Sequence, residues 1–363
     1  MARTPRTEML DDTEVGVYHC INRCVRRAFL CGVDPLTGKD FEHRKALIRR
    51  RLQFLASRFG LDVLGYTVMS NHLHVILRNR PDVVAGWSDQ EVARRWWELF
   101  PGRREKNGSP AKPEASDLAM TTSDPDVLKE RRRRLSNLSW FMRCLCEPIA
   151  RLANKEESCT GRFWEGRFKC QRLLDESAIL ACSVYVDLNP IRAKLAKTPE
   201  TSTFTSAHDR IAGSRMSQPS SRLGSKPSRR QGRRFPKPTE TASAPDRWLS
   251  PIELAKELSA VKRQPVERAS DQGFLPLKLG QYFQLLDWTG RQVRQDKRGA
   301  IPAELSPILS RLGISSDGWV ETVVNFGRWF RRAAGRAESL TAEATKHGRR
   351  WLHGVSHCRE AFS

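Results

Sequence analysis

Apolar and polar positions alternate along residues 15–23, VGVYHCINR, and this period of two predicts a strand. Residues 41–59, FEHRKALIRRRLQFLASRF, change period. Leu47, Leu52, Leu55 and Phe59 fall near one face and Arg49 to Arg51 mostly elsewhere, which predicts an amphipathic helix stopped by Gly60. LDVLGYTVM and HLHVILR follow, two apolar runs parted by Ser70 and Asn71, hence a hairpin. A long helix is expected over 127–155, started by Asp124-Pro125-Asp126 and showing an apolar face of Leu138, Phe141, Leu145 and Ile149. Residues 163–174 read as a loop entering a strand. Asp175 then caps a helix, ESAILACSVYVDLN, closed by Pro190. The order βα, β-hairpin, α, βα predicts an α+β fold, a ferredoxin-like antiparallel sheet with helices on one face.

This pattern is interrupted twice. Within a first domain over 1–197, residues 79–126 hold one short helical piece, DQEVARRWWELF, and then RREKNGSPAKPEASD, which has no apolar period; a flexible insertion is expected there. Residues 198–270 are rich in Ser, Pro and Arg and read as a basic linker. Residues 271–363 regain apolar periodicity and read as mostly helical, a candidate DNA-binding or dimerisation region. Within them, AELSPILSRLGISSDGWVETVVNFGRWF fits either a helix-turn-helix about Gly313 or a plain helical bundle.

Charge adds a partner class. Lys and Arg number 63 against 41 Asp and Glu in 363 residues, a net charge of +22, and an excess of this sign is attracted to phosphates irrespective of sequence. No apolar run approaches the roughly 20 residues of a membrane helix, and MARTPRTEMLDDTE has no signal-peptide core. A cytoplasmic, nucleoid-associated bacterial protein is expected. The nine cysteines include no CxxC pair, which excludes a zinc ribbon and leaves reduced structural thiols.

Two spacings carry chemistry. His72 and His74 lie at i and i+2 of a strand, so their imidazoles project from one face as half of a metal site. Tyr185 and Asn189 lie at i and i+4 of a helix, which puts a phenol and an amide oxygen on one side. Spacing alone leaves both pairs open to ordinary packing roles, and the same holds for His19, which reads as structural.

The segments VYHCINRCVRR, GYTVMSNHLHVIL, GRFWEGRFKCQRLLDE and YVDLNPIRAKL occur in that order over about residues 13–197. Together they resemble the single-tyrosine transposases of the HUH nuclease superfamily, in particular the REP-associated tyrosine transposase branch with its IS200-like domain. The resemblance implies that His72 and His74 hold a divalent cation, Mg²⁺ or Mn²⁺, with Asn189 as third ligand. It implies that Tyr185 is the nucleophile, forming a 5′-phosphotyrosine with single-stranded, hairpin-containing DNA, and that the protein is a homodimer. A phenol has a pKa near 10, and the sequence names no group that would activate it. Candidate DNA contacts are Arg23 and Arg26, the run Arg131, Arg132, Arg133 and Arg134, and Arg162, Trp164, Arg167 and Lys169, since bases stack on rings and phosphates meet basic side chains. The alternatives are a catalytically silent protein that binds hairpin DNA on the same fold, and a zinc hydrolase, which would need a further ligand and a base.

Overall fold

The computed structural model describes residues 10–25, 30–34, 37–217, 244–254, 267–293, 309, 310, 312, 314 and 316–362. In chain order these form β1 (Gly16–Arg23), α1 (His43–Ala56), β2 (Leu61–Val68), β3 (His72–Asn79), α2 (Pro81–Ala85), α3 (Asp89–Leu99), α4 (Ala115–Thr122), α5 (Pro125–Leu135), α6 (Leu138–Glu156) and β4 (Lys169–Leu173). They continue with α7 (Glu176–Asp187), α8 (Asn189–Arg192), α9 (Ser206–Ser217), α10 (Leu279–Val293), α11 (Ser316–Trp329), β5 (Ala333–Ala334), α12 (Ala337–Lys346) and α13 (Val355–Ala361).

The strands join in the order β2-β3-β1-β4-β5. The first four pair antiparallel, and β5 adds parallel to β4 through Arg172 and Ala333. Alternation along each strand divides two cores. Tyr18, Cys20, Leu73, Val75, Leu77 and Cys170 pack with α1 and α6, whose buried residues include Ile48, Leu52, Leu55, Phe141 and Leu145. Ile76 and Leu173 pack on the other face with α7 and the C-terminal helices. The α+β class and the antiparallel sheet agree with the sequence pattern, but helices cover both faces rather than one.

Four further differences have local causes. The long helix expected over 127–155 breaks at Ser136 and Asn137, because the Asn137 side chain accepts from Trp140 N at 3.0 Å and starts α6 afresh. Gly60 lies beyond the end of α1; its need is close approach, as a Cβ there would clash with Val84 Cγ2. Pro190 does not end the helical path. The chain passes from α7 through Leu188 in a helical conformation into α8, with Pro190 in the first turn, where a missing N–H costs little. Residues 79–126, expected to hold one short helical piece and otherwise a flexible insertion, contain α2 and α4 besides the expected helix, α3. Trp97 is buried there and donates to Ala111 O at 2.8 Å, and Arg103 pairs with Glu114 and Asp117.

The expected linker begins with ordered chain. Ser206 Oγ and Ala207 N, at the start of α9, donate to the buried Asp187 carboxylate at 2.5 and 3.0 Å, and Tyr282 of α10 donates to its other oxygen at 2.6 Å. Residues 218–243 and 255–266 lie outside the described residues, as do Gly313 and most of the first helix of the expected helix-turn-helix. The C-terminal helices share a core with α7 through Trp319, Val323, Phe326 and Phe330. Among the described residues no helix is long and apolar enough to cross a membrane.

Candidate functional site

Pairing between β1 and β3 sets His74 opposite Ile21 and His72 opposite Arg23, at the end of the sheet where β3 begins. Because Leu73 and Val75 are drawn into the core under α1 and α6, both imidazoles must face α7. Tyr185 is the half-buried residue of α7 that meets them. Its ring centroid lies 5.7 Å from that of His74 and 6.0 Å from that of His19, edge-on in each case. His72 and His74 are themselves 4.8 Å apart, centroid to centroid. Asn189, one helical turn beyond Tyr185, brings its amide Nδ2 to 3.3 Å from His74 Nε2.

A cleft of about 170 Å³ opens here, lined by His72, His74 and Tyr185 together with Arg23, Arg167 and Lys169. Glu165 also lines it, 3.6 Å from the Arg23 guanidinium. Burial pushes the His72 imidazole down to about 4, helped by the Arg23 charge. Burial likewise holds His74 well below the usual histidine range, with His19, His72 and Arg192 adding repulsion. Both rings are therefore neutral at pH 7, the form that can ligate a cation.

The hydrogen bonds fit that use. His72 Nδ1 donates to Asn71 Oδ1 at 2.6 Å, so the lone pair is on Nε2. A half-turn of the Asn189 amide would present its oxygen beside His74 Nε2. The donor set is then two imidazoles and one amide oxygen, suited to a divalent cation that keeps water ligands. Among the described residues there is no group of three His, Cys, Asp or Glu side chains placed to hold a metal ion.

Other sequence candidates fall elsewhere. Arg131 to Arg134 lie on α5, whose end meets Gly60 through Leu135 O, beside the end of β3 at Asn79 and Arg80. Seven residue steps along β3 separate His72 from Asn79, roughly 23 Å at strand rise. There Arg131 bonds to Thr121, Arg132 to Val84 O, Trp87 O and Asp89, Arg133 to Asp12 and Glu130, and Arg134 to Glu130. Trp164 is in the core, donating its indole N–H to Cys146 O at 2.9 Å, rather than presenting a ring face to bases. Arg162 is exposed but outside the cleft lining, and Arg26 lies outside the described residues.

Three neighbours of the site escape a reading of spacing. His19 stacks on His74 at 5.1 Å and 13°. The Arg192 guanidinium lies 4.9 Å from the Tyr185 ring centroid, held by Val324 O of α11 at 2.6 Å. Phe326 of α11 packs against the Tyr185 ring, 5.7 Å between centroids. Strand alternation puts His19 on the correct face, but only pairing across β1, β3 and β4 makes it a neighbour.

The sheet and this cleft define an α+β protein with a His-x-His strand facing a tyrosine helix. No family model matches the chain, and no curated protein does. A solved structure that matches is that of a REP-associated tyrosine transposase bound to a REP hairpin; the two are 14% identical with a TM-score of 0.34, over 65% of this chain and 99% of the other.

Proposed function

We propose that this protein is a DNA strand transferase that cleaves and rejoins single-stranded DNA at hairpin or repeat sequences through Tyr185. The observation that carries the reading is the convergence of Tyr185, His72 and His74 on one basic cleft. His72, His74 and Asn189 would hold Mg²⁺ or Mn²⁺, and the bound cation would neutralise and polarise a phosphodiester. Arg23, Arg167 and Lys169 bind flanking phosphates. The Tyr185 oxygen forms a bond to phosphorus as the bond to the 3′ oxygen breaks. The phenol loses its proton, the 3′ oxygen gains one, and a 5′-phosphotyrosine and a free 3′-OH result. The Arg192 guanidinium lies against the Tyr185 ring, a cation–π contact that holds the ring in place. Attack by a 3′-OH reverses the step, so joining needs no ATP.

The test is a denaturing gel after incubation with labelled single-stranded oligonucleotides carrying the hairpins that flank its own gene, plus Mg²⁺ or Mn²⁺. A protein–DNA band that disappears with chelator and in Tyr185→Phe is expected. Tight binding with no band from the unaltered protein would replace this reading with that of a silent hairpin-binding protein. Neither band nor binding would overturn both for these DNAs.

A further inference from the structure

His19 is 1% exposed, and both its ring nitrogens are engaged. Its Nε2 lies 2.8 Å from His74 Nδ1, and its Nδ1 lies 3.3 Å from Gln171 Oε1. The three side chains come from three adjacent strands: Gln171 of β4 is the direct cross-strand partner of His19 on β1, and His74 stands diagonally across on β3. The line ends at Asn189 Nδ2, 3.3 Å from His74 Nε2. Gln171 is buried, and its Nε2 has no hydrogen-bond partner, so the bond from His19 is the one its side chain makes. A buried amide that spends its one bond on an imidazole is costly unless that imidazole's orientation matters.

We infer that Gln171 and His19 are positioning residues that fix the tautomer of His74; this rests on the metal-site reading above and deepens it. An amide oxygen only accepts, so His19 carries its proton on Nδ1 and offers the Nε2 lone pair. The short contact between the two rings needs one proton, which His74 Nδ1 supplies. His74 Nε2 is then bare, accepts from Asn189 in the metal-free protein, and is the atom left for a cation. The relay runs in one direction, with Gln171 setting its polarity from two strands away. The reversed amide would run every donor the other way and put a proton on His74 Nε2, closing that atom to metal.

Imidazole ¹⁵N chemical shifts and long-range ¹H–¹⁵N correlations, recorded on the metal-free full-length protein, read both tautomers directly. Protonated Nδ1 and bare Nε2 are expected at both His19 and His74; a protonated Nε2 at His74 overturns the inference. In Gln171→Leu the Mn²⁺ dissociation constant is expected to rise roughly 10- to 100-fold, with the acceptor-only Gln171→Glu restoring most of the affinity. Unchanged affinity in Gln171→Leu also overturns it. If Gln171→Leu does not fold, the spectrum of the unaltered protein decides alone. A protein with the expected tautomers that binds no Mn²⁺ would sink the metal reading and leave the relay standing.

Discussion

The Tyr185 hydroxyl and the backbone of Gly327 approach so closely that a Cβ added at residue 327 would stand 2.8 Å from the phenolic oxygen. A glycine inside α11 costs about 1 kcal/mol of helix propensity relative to alanine, and here it clears space for the proposed nucleophile. Gly327→Ala should therefore leave the thermal midpoint unchanged or slightly raised, while the rate of covalent adduct formation drops roughly 10- to 100-fold through displacement of the ring. A thermal melt and an adduct time course on one preparation check both halves. Equal rates would mean that the ring yields without consequence.

The cleft lysine and arginine differ from those of α5 in what they can contribute to DNA affinity. Arg167 and Lys169 line the cleft, while Arg133 is ion-paired with Asp12 and Glu130 at the far end of the sheet. Arg167→Ala should reduce the slope of log affinity against log salt by roughly 0.7 for a single-stranded oligonucleotide, the share of one phosphate contact. Arg133→Ala should leave that slope unchanged. Fluorescence anisotropy across a salt series distinguishes the two.

Trp164 provides a test of core against interface. With its ring buried beside Phe163 and its N–H on Cys146 O, Trp164→Ala should destabilise the fold by about 3–5 kcal/mol in urea unfolding. Trp164→Phe should cost less and bind DNA as the unaltered protein does. Selective loss of DNA affinity in Trp164→Phe at unchanged stability would return the ring to the interface.

Acid should weaken the fold above the carboxylate range. His19 and His72 are both held down at about 4 by burial, against 6.5 in the unfolded chain. Between those values the unfolded state binds more protons than the native one, so stability is full above pH 6.5 and falls as pH drops toward 4. At pH 5 the loss is about 2 kcal/mol for each histidine, at 1.4 kcal/mol per pH unit. Urea midpoints from pH 7 to pH 5 should show this decline, and His72→Gln should make it shallower. An unchanged slope in His72→Gln would mean that its imidazole is not held neutral by burial.

Much of the framework was legible from local pattern. Alternation in HLHVILR placed both histidines on one face, and Asp175, whose side chain accepts from Ala178 N at 2.9 Å, began α7 where its identity as a cap predicted. Within 79–126 the expected helix is α3, with Val92, Ala93, Trp97 and Leu99 buried. The rest of the excursion misled because the chain leading into α4 is tied down by Arg103 on Glu114 and Asp117 and by Trp97 on Ala111 O, contacts that leave no apolar period. The run of arginines on α5 looked like a polyanion site because sequence shows charge but not the carboxylates folded against it.

By itself the sequence determined the identities of β1 to β4, α1 and α7, the spacing of His72 with His74 and of Tyr185 with Asn189, and the basic charge, since each depends on neighbours a few residues apart. Tertiary structure decided which of these meet. The register of β1 between β3 and β4 aligned Gln171, His19 and His74, residues 152 and 55 positions apart in pairs, and no local period encodes such contacts. It also covered α7. ESAILACSVYVD is apolar nearly all round, which demands burial on every side, but only packing selected α11 as the cover and so set Gly327 against Tyr185.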